Sequence, residues 1–564
     1  MTSAPEPATT VASYLAQRLS DIGVGHLFAV PGDYAGPFLS AVDVAGAPVR
    51  IGTPSELVAG YAADGYTRLN GVGAACVTFG VGAFSLLNAI AGCYVEMLPV
   101  VVVNGSPSTA NRQQERVEGV LFHHSTGDLR SNLEAFARVT VHQEVVSDPA
   151  AAPAQIDAAL TACLGTRRPV YLEVEKDAWA RACAAPSGPI LPAPLPCVGA
   201  AVEQAAAEVV ARLRGAQRPL LWYGVEVKRR GLGKAVERLV EAVGLPFACD
   251  LMGKATVNED HPRYLGVFDG APALTRVADA VKASDCVLAL GTLVTDDFLD
   301  LVGDAYGTMV LAWDGRVRIG YHAYDDVPLE PFLAELERQL TGARVRAPDE
   351  AADELRSALA PLRAVGAPPS DALTYESFFA RIAQFVDDST VLVADTSNSL
   401  YLAGDVRVAT DGFVAQSAWG SIGHTVGAAV GVGFGAPSRR AVVVVGDGGF
   451  QMDCQALSTL AEHRQAAIVC VMSNGLYGIE QALVNLGFYT KGEAPEAFNL
   501  LPRWDYVKLA EAFGGAGFVA STLGELDAAL AAARAQTGTF SLIEVRVPER
   551  DLPDNIRRLA EDPG

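Results

Sequence analysis

Positive charge is scarce in this sequence of 564 residues. It contains 43 Lys and Arg against 65 Asp and Glu, which gives a net charge of −22 at pH 7. Nucleic acids and anionic membranes attract basic surfaces, so this balance argues against both as partners. No apolar run approaches the roughly 18 residues that a membrane-spanning helix needs. Met1 to Thr10 also lack the basic start and apolar core of a signal peptide, so we expect no secretory leader.

Cysteine is sparse and shows no metal-binding or redox spacing. The nine cysteines include no Cys-x-x-Cys pair, and the eight histidines include one adjacent pair, His123-His124. No further His or Cys lies at a suitable spacing near that pair, which argues against a zinc site. Scattered reduced thiols are typical of cytoplasmic proteins, so the sequence predicts a cytoplasmic location. No short repeat is visible.

The length predicts several domains, since single cores rarely grow this large. Apolar strand patterns alternate with helix patterns along the whole chain, which indicates α/β domains with parallel sheets covered by helices. We predict three domains, at 1–182, 201–341 and 371–564. A segment with five prolines, Cys183–Ala200, is predicted to link the first two. A second linker with a short helix of its own is predicted at 342–370.

One stretch of the last domain predicts a β-α-β unit. Ala441–Val445 and Ala466–Met472 are apolar on both faces, as buried parallel strands are. Phe450–His463 between them has the spacing of an amphipathic helix. Asp447 and Asn474 therefore follow the carboxyl ends of two strands, the edge where open α/β sheets bind ligands.

This unit predicts a site for Mg²⁺ and a diphosphate. One anionic and one neutral oxygen ligand, from Asp447 and Asn474, suit Mg²⁺. Gly446 and Gly448 allow close approach of a phosphate, and the following helix offers its N-terminus. The alternative is a plain tight turn with Asn474 forming an Asx turn. The strand-helix-strand frame favours the metal site.

These residues resemble the diphosphate motif of thiamine-diphosphate-dependent enzymes. The resemblance extends over nearly the whole chain and points to the 2-keto acid decarboxylase branch, which includes pyruvate, indolepyruvate and phenylpyruvate decarboxylases. The further matching segments are Val30-Pro31-Gly32-Asp33-Tyr34, Ser55-Glu56-Leu57-Val58-Ala59-Gly60, His123-His124, Trp419-Gly420-Ser421-Ile422-Gly423 and Gly478-Ile479-Glu480-Gln481. The full set in this order is highly specific, although each motif alone is weak.

The resemblance implies which residues bind metal and cofactor. Asp447, Asn474 and the carbonyl of Leu476 would hold Mg²⁺. Glu56 would bond to a ring nitrogen of the cofactor's aminopyrimidine, the carbonyl of Gly420 would accept from its exocyclic amine, and Ile422 would bend the cofactor. The implied cofactor-binding set is Glu56, Thr396, Asn398, Gly420, Ile422, Gly446, Asp447, Gly448, Gly449, Asn474, Leu476, Tyr477, Gly478 and Ile479.

Two positions in this set depart from the family pattern. Asn398 stands where a Thr or another small polar residue often holds the diphosphate, and Gly449 stands where a Ser often does so. Backbone N–H groups can compensate, so we expect weaker cofactor binding rather than none.

The resemblance also implies the catalytic residues, Glu56, Asp33, His123, His124 and Glu480. Asp33 and the His pair would relay protons to the carbon left after CO₂ loss, and Glu480 would serve as an acid on the substrate side. Each has a plainer alternative. Glu56 and Glu480 could be helix-start carboxylates, Asp33 a turn residue, and His123-His124 a surface loop.

The sequence thus predicts non-oxidative decarboxylation of a 2-oxo acid to an aldehyde and CO₂. The alternatives are a carboligase and, from another class, a non-catalytic cofactor-binding or assembly protein. The predicted pocket positions are Thr396, Leu400, Ile479 and Leu483, and the modest size of Leu400 favours aryl or branched substrates. The resemblance further implies a homodimer or homotetramer, with Glu56 and Asp447 of one site supplied by different chains.

Overall fold

The computed structural model describes residues 9–341 and 371–561. The predicted second linker and its short helix, at 342–370, lie outside the described residues. Within the described ranges, no helix is both long enough and apolar enough to cross a membrane.

The first sheet consists of six parallel strands in the order β2-β1-β3-β4-β6-β5. Its strands are β1 His26–Ala29, β2 Val49–Gly52, β3 Gly73–Thr78, β4 Val100–Ser106, β5 His142–Val146 and β6 Val170–Glu175. β3, β4 and β6 are buried along their whole length, as apolar runs in a parallel sheet should be.

The middle sheet has seven strands in the order β13-β12-β11-β10-β7-β8-β9. Its strands are β7 Pro219–Tyr223, β8 Phe247–Cys249, β9 Tyr264–Val267, β10 Cys286–Leu290, β11 Val310–Trp313, β12 Arg316–Ile319 and β13 His322–Tyr324. β12 and β13 pair antiparallel at one edge, whereas the other pairs are parallel. The sheet is therefore parallel with an antiparallel edge, a detail that the sequence prediction did not include.

The third sheet has six parallel strands in the order β15-β14-β16-β17-β19-β18. Its strands are β14 Thr390–Ala394, β15 Phe413–Ala415, β16 Arg440–Gly446, β17 Ile468–Ser473, β18 Ala516–Ala520 and β19 Ser541–Arg546. β16 and β17 are the two strands predicted around the metal motif, and they pair parallel as expected. Each of the three sheets lies within one of the predicted domain ranges.

The helices lie between the strands along the chain. Up to residue 341 they are Val11–Asp21, Gly36–Ala45, Glu56–Asn70, Val81–Val95, Thr109–Glu118, Ser131–Phe136, Ala152–Thr166, Gly199–Gly215, Val225–Arg229, Gly233–Val243, Thr275–Lys282, Leu299–Ala305 and Leu329–Leu340. From residue 371 they are Tyr375–Phe385, Asn398–Gly404, His424–Gly435, Asp447–Asp453, Ala456–Glu462, Gly478–Val484, Gly487–Thr490, Tyr506–Ala512, Leu523–Ala535 and Asp554–Glu561.

The single helix predicted at Phe450–His463 is divided in two. The first piece begins at Asp447, directly after Gly446 as its N-cap, and ends at Asp453. The second piece spans Ala456–Glu462. The apolar spacing was read correctly, but it could not show the turn at Cys454 and Gln455 that separates the pieces.

The chain forms two compact units. The first comprises Met1–Pro194, Val426–Pro437 and Ser458–Glu462, and it contains the first sheet. The second comprises Leu195–Thr425, Ser438–Leu457 and His463–Gly564, and it contains the middle and third sheets.

A glycine contact fixes one helix pair inside the first unit. A Cβ atom on Gly431 would overlap the carbonyl oxygen of Ala62 and the nitrogen of Tyr66, and one on Gly65 would overlap the carbonyl of Ala428. The backbones of Glu56–Asn70 and His424–Gly435 therefore touch directly. This contact fixes the helix that carries Glu56 at its first turn.

Candidate active site

Three neighbouring strands of the third sheet place polar groups at one edge. β14, β16 and β17 are adjacent and parallel, so their carboxyl ends meet. Asp395 and Thr396 follow β14, Asp447 follows β16, and Asn474 follows β17. This is the arrangement that the sequence predicted for Asp447 and Asn474.

Asp447 is a buried carboxylate at a helix start. It is 3% exposed, and its two oxygens accept hydrogen bonds from the backbone nitrogens of Gly448 at 3.1 Å and Gly475 at 2.7 Å. Burial raises the pKa of Asp447 to about 6, and these N–H groups partly offset the effect. A cation bound to this carboxylate would supply the missing positive charge.

Asn474 and Leu476 form a tight turn next to Asp447. The Asn474 side-chain oxygen accepts from the nitrogen of Leu476 at 3.1 Å, which is the Asx turn of the plainer interpretation. Its amide nitrogen is buried and has no hydrogen-bond partner among the described residues. The turn and a ligand site therefore coexist at these residues.

A cleft of roughly 470 Å³ of open space lies at this edge. It is lined by Tyr375, Asp395, Thr396, Ser397, Asn398, Ile422, Gly446, Asp447, Gly448, Gly449, Asn474, Leu476, Tyr477, Gly478, Ile479 and Glu480. The cofactor-binding residues predicted between Thr396 and Ile479 line it with one exception, Gly420. Glu480, a predicted catalytic residue, lies on the first turn of the helix Gly478–Val484 and also faces the cleft.

Sequence reasoning missed Tyr375, Asp395 and Ser397, because none of them belongs to a motif that it used. Ser397 is the N-cap of the helix Asn398–Gly404 and accepts from the nitrogen of Ser399 at 3.1 Å. A Ser before a helix is a cap signal that could have been read. Nothing in the local sequence pointed to Tyr375, which lies at the start of the helix Tyr375–Phe385.

Asp395 fixes the turn that precedes the helix His424–Gly435. It is 1% exposed, and it accepts from the nitrogen of Gly423 at 3.1 Å and from the hydroxyl of Thr425 at 3.2 Å. Burial raises its pKa to about 6. Since Ile422 precedes Gly423, these bonds hold the side chain of Ile422 at the cleft.

The departure at Gly449 has a steric reason. A Cβ atom at this position would overlap a carboxylate oxygen of Asp395. Any larger residue would therefore displace Asp395 and the turn that it holds. Gly448 is restricted in the same way, because a Cβ there would overlap the ring of Tyr477.

Asn398, the other departure, faces the cleft with unused bonding capacity. Its side-chain oxygen is buried without a hydrogen-bond partner among the described residues, while its amide interacts with the hydroxyl of Tyr375. Burial and the nearby charge of Asp447 raise the pKa of Tyr375. Tyr375 is thus a neutral hydroxyl at the same edge.

The predicted pocket residue Leu400 does not line the cleft. It is 2% exposed and belongs to the hydrophobic core of the second unit. Leu483, on the helix Gly478–Val484, is 42% exposed and also lies outside the lining. Of the four predicted pocket positions, Thr396 and Ile479 remain. Gly420, the predicted cofactor-binding residue that does not line the cleft, lies two residues before Ile422 and has a φ of +65°.

The other predicted catalytic residues lie in the first unit, at the carboxyl edge of the first sheet. Glu56 begins the helix Glu56–Asn70 and is half-buried, and a Cβ atom on Gly82 would lie 3.4 Å from one of its carboxylate oxygens. Asp33 follows β1 in the Pro31-Gly32-Asp33 turn and is 63% exposed. Sequence reasoning placed Glu56 at a helix start correctly.

His123 and His124 lie in an exposed loop that contacts Gly80 and Tyr34. His124 has a φ of +71°, and its carbonyl sits so close to Gly80 that a Cβ there would overlap it. The hydroxyl of Tyr34 donates to the carbonyl of His123 at 3.4 Å, and the ring of Tyr34 meets that of His124 edge-on at 6.3 Å. Tyr34 therefore connects the His pair to Asp33, its neighbour in sequence.

The donor atoms at the cleft fit a hard divalent cation and a diphosphate. The described residues contain no cluster of three or more His, Cys, Asp or Glu side chains suited to a metal. One carboxylate, one amide oxygen and one backbone carbonyl, from Asp447, Asn474 and Leu476, form a mixed oxygen set that suits Mg²⁺ with water and phosphate oxygens. The unpartnered amide nitrogen of Asn474 can donate to a phosphate oxygen, whereas the unpartnered oxygen of Asn398 is an acceptor that suits the cation.

Comparison with known proteins identifies this architecture. Three family models match: the thiamine pyrophosphate enzyme N-terminal TPP binding domain at residues 9–127, the central domain at 206–305, and the C-terminal TPP binding domain at 401–545. The chain is 31% identical to an alpha-keto-acid decarboxylase of Mycobacterium tuberculosis, over 97% of this chain and 96% of that protein.

Two further relatives have a similar identity to this chain. An alpha-keto-acid decarboxylase of Mycolicibacterium paratuberculosis is 32% identical over 98% of this chain and 96% of its own length. Pyruvate decarboxylase 2 of Oryza sativa subsp. japonica is 31% identical over 88% and 81%, respectively. With its three matched domains and full-length relatives, the chain belongs to the thiamine-diphosphate-dependent 2-keto acid decarboxylase family.

Proposed function

We propose that this protein is a carboxy-lyase that converts a 2-oxo acid to an aldehyde and CO₂, using thiamine diphosphate and Mg²⁺. The observation that carries the proposal is the cleft in which the metal-type donors Asp447, Asn474 and Leu476 lie beside Glu480. A protein that merely bound the cofactor would not need an acid there. The relatives named above for decarboxylation support the same reaction.

We assign a separate role to each of the three predicted domains. We assign pyrimidine binding to residues 1–182, a middle domain to 201–341, and diphosphate binding to 371–564. Asp447, Asn474 and the Leu476 carbonyl would hold Mg²⁺ beside the diphosphate. Gly446, Gly448 and Gly449 keep the strand-to-helix turn free of side chains. Thr396, Asn398, Tyr477, Gly478 and Ile479 complete the wall around the cofactor.

When bound, thiamine diphosphate supplies the carbon nucleophile and the electron sink that CO₂ loss requires. Glu56 would share a proton with the pyrimidine ring nitrogen. Ile422 would pack against the cofactor, and the Gly420 carbonyl would accept from its amino group. Asp395 acts indirectly, because it holds the turn on which Ile422 lies.

Proton delivery falls to the edge of the first sheet and to Glu480. Asp33 and His124, with His123 beside it, supply the proton that replaces the lost carboxylate. Glu480 lies on the substrate side and acts as an acid there. Tyr34 keeps Asp33 and the His pair in one group.

We further propose that the working site forms between two chains, in a homodimer or homotetramer. Asp33, His123, His124 and Glu480 are all exposed in the single chain, although proton transfer needs a site shielded from water. Large apolar side chains are exposed too: Phe84 at 39%, Leu121 at 65% and Trp419 at 41%. Such surfaces are typical of interaction sites, and a second copy of the chain would cover them.

The substrate is a small 2-oxo acid, and the preference for aryl or branched acids remains a prediction. It rested on Leu400, which is buried away from the cleft. We expect no nucleic acid or membrane partner from a net charge of −22, and the nine free cysteines support a reducing cytoplasmic setting.

The decisive experiment is a turnover screen of purified protein with pyruvate, 2-oxoisovalerate, phenylpyruvate and indolepyruvate. Release of CO₂ and aldehyde should require both thiamine diphosphate and Mg²⁺. If acyloin were the main product without added aldehyde, the carboligase alternative would replace this proposal. If no acid were turned over while the cofactor bound, the protein would be a cofactor-binding protein.

The role of Glu56 has a test that does not depend on the substrate. Glu56→Gln should bind thiamine diphosphate but exchange its C2 proton about a hundredfold more slowly, because the ring nitrogen loses its proton partner. Proton NMR in deuterated water after rapid mixing measures this rate. An unchanged rate would remove Glu56 from the mechanism.

A further inference from the structure

Lys176 is a charged residue beside the catalytic group that neither the motifs nor the cleft includes. It directly follows β6, and its ammonium nitrogen lies 3.0 Å from a carboxylate oxygen of Asp33. The Lys176 side chain is 41% exposed and that of Asp33 is 63% exposed. The pair thus lies at the surface of the single chain, on the side that the proposed function assigns to the reacting carbon.

The backbone around both residues is fixed by neighbouring strands. The Tyr34–Ala35 segment crosses the end of β4 at Gly105, where a Cβ atom would overlap that segment. The indole nitrogen of Trp179 donates to the carbonyl of Tyr34 at 3.0 Å. The backbone nitrogen of Lys176 donates to the carbonyl of Ser106 at 3.0 Å. These contacts hold the backbone beside each residue, and the ion pair restricts the two side chains.

Tyr34 extends this contact to the His pair. The Lys176 nitrogen lies 5.6 Å from the centre of the Tyr34 ring, within the range of a cation–π contact. The same ring meets His124 edge-on, and its hydroxyl bonds to the carbonyl of His123. Lys176, Asp33, Tyr34 and His124 therefore form one continuous group.

We propose that Lys176 is a positioning residue for Asp33, holding its carboxylate in the orientation from which a proton is relayed to the reacting carbon. The inference rests on the proposed function, in which Asp33 serves that relay. Lys176 itself neither gives nor takes a proton. It restricts the rotation of an exposed carboxylate that would otherwise sample several rotamers, and a group misplaced by about 1 Å loses much of its catalytic effect.

An ion pair without this role would behave differently. Exposed salt bridges contribute little to stability, so the loss of an ordinary surface pair should leave both folding and turnover unchanged. Lys234 offers such a pair, because it is 84% exposed and lies 2.6 Å from Glu237. Lys234→Met is therefore the matched control for Lys176→Met.

The experiment compares five holoenzymes loaded with thiamine diphosphate and Mg²⁺: Lys176→Met, Lys176→Arg, Asp33→Asn, the double variant Asp33→Asn/Lys176→Met, and Lys234→Met. The readouts are kcat, KM for the best 2-oxo acid of the screen, the ratio of acyloin to aldehyde, and Tm. We expect Lys176→Met to lower kcat about tenfold with KM within about threefold, because positioning rather than binding is lost. Its acyloin share should rise, because slower protonation leaves time for a second carbonyl compound to react.

Three comparisons decide the inference. Lys176→Arg should restore most of kcat, Lys234→Met should match the parent, and the double variant should be no slower than Asp33→Asn. The inference is overturned by an unchanged kcat and product ratio in Lys176→Met, by a lower Tm or lost cofactor binding in that variant, or by a double variant about tenfold slower than Asp33→Asn. Parental turnover by Asp33→Asn would instead refute the role of Asp33 in the proposed function.

Discussion

At the scale of single residues, the cleft combines buried polar groups that the protein alone does not satisfy. Asp447 is a desolvated carboxylate held by two backbone N–H groups. The Asn474 amide nitrogen and the Asn398 oxygen are buried without partners among residues 9–341 and 371–561. Unsatisfied buried groups destabilise a fold, and a ligand bound in the cleft would supply the partners that these two lack.

The first prediction concerns the charge of Asp447. Asp447→Asn keeps an oxygen for the nitrogen of Gly475 but removes the anionic metal ligand. We expect thiamine diphosphate binding at fixed Mg²⁺ to weaken at least tenfold, which corresponds to roughly 1.4 kcal/mol. Because removal of the buried charge offsets the lost hydrogen bond from the nitrogen of Gly448, the Tm of the cofactor-free protein should change little. Isothermal titration and thermal melts measure the two effects.

Asp388→Asn is the matched control for this prediction. Asp388 is exposed between the helix Tyr375–Phe385 and β14, in the same predicted domain. The affinity of Asp388→Asn for thiamine diphosphate and its Tm should equal those of the parent. The metal assignment would be wrong if Asp447→Asn bound the cofactor as tightly as the control.

At the scale of elements, glycine positions the helix that carries Glu56. The backbones of Glu56–Asn70 and His424–Gly435 touch at Gly65 and Gly431, where any side chain would collide with backbone atoms. Backbone atoms cannot rotate away as a flexible side chain can. The position of Glu56 therefore depends on a helix–helix contact that contains no catalytic residue.

The second prediction follows from this contact. Gly431→Ala should lower Tm by several degrees, because overpacking costs about 1–3 kcal/mol and outweighs the helix propensity gained by alanine. It should also lower kcat, because the helix Glu56–Asn70 moves. Gly524→Ala is the control, since Gly524 lies in the helix Leu523–Ala535 with no atom within 4 Å of the added Cβ. A Tm of Gly431→Ala equal to that of the control would disprove the close contact.

Strong local patterns made much of the fold predictable from the sequence. β16 and β17 are apolar runs buried on both faces, and both were predicted. The antiparallel edge of the middle sheet was missed although it has a signal. Asp314 and Gly315 join β11 to β12 with φ of +49° and +80°, the two-residue hairpin turn that Asp-Gly favours.

The cleft was predictable only where motifs reach it. Asp447, Asn474 and Glu480 were found because each follows a strand or starts a helix in a recognisable segment. Asp395 also follows a strand and Tyr375 also starts a helix, but neither belongs to one of the motifs that were used, and their place in the cleft is seen only in the folded chain. Leu400 was misplaced for the same reason, because its position in the family pattern does not reveal how a side chain packs into the core.

At the scale of the molecule, a group of charged residues makes the stability of the second unit depend on pH. Asp405 follows the helix Asn398–Gly404, and Lys254, Arg276 and Arg558 lie within electrostatic range. Desolvation nevertheless raises the pKa of Asp405 to about 7. Arg558, in the helix Asp554–Glu561, also donates to the carbonyls of Ala271, Pro272 and Ala273.

The third prediction follows from this pKa. An unfolded Asp titrates near pH 4, so between about pH 4 and 7 the folded protein binds more protons than the unfolded chain. The contribution of Asp405 to stability is therefore greatest below pH 4, falls as pH rises to about 7, and stays low above it. Asp405→Asn cannot ionise, so its Tm relative to the parent should be higher at pH 8 than at pH 5.

Thermal melts at the two pH values test this sign, with Asp388→Asn as the exposed control. The nearby Asp269 does not reverse it, because removal of the Asp405 charge lowers the raised pKa of Asp269 and so acts in the same direction. A Tm difference that is equal at both pH values, or larger at pH 5, would show that Asp405 is ionised throughout this range.

The fourth prediction concerns the assembly of the site. Glu56 belongs to the first compact unit and Asp447 to the second. If each working site takes its first unit from one chain and its second from another, two chains impaired in different units can complement each other at a cofactor concentration that leaves the Asp447→Asn sites empty. A dimer of one Glu56→Gln chain and one Asp447→Asn chain would carry one site with both lesions and one with neither. Random exchange in an equal mixture makes half of the dimers mixed, so roughly a quarter of the parental activity should return.

Mixing Glu56→Gln with Asp33→Asn is the matched control, because both lesions lie in the first unit. Every site in such a mixed dimer contains one lesion, so no activity should return. Recovery in the first mixture alone therefore identifies sites shared between chains. If subunit exchange is confirmed with differently tagged chains and neither mixture recovers, each site is built within one chain. The exposed apolar side chains at Phe84, Leu121 and Trp419 would then need a different partner.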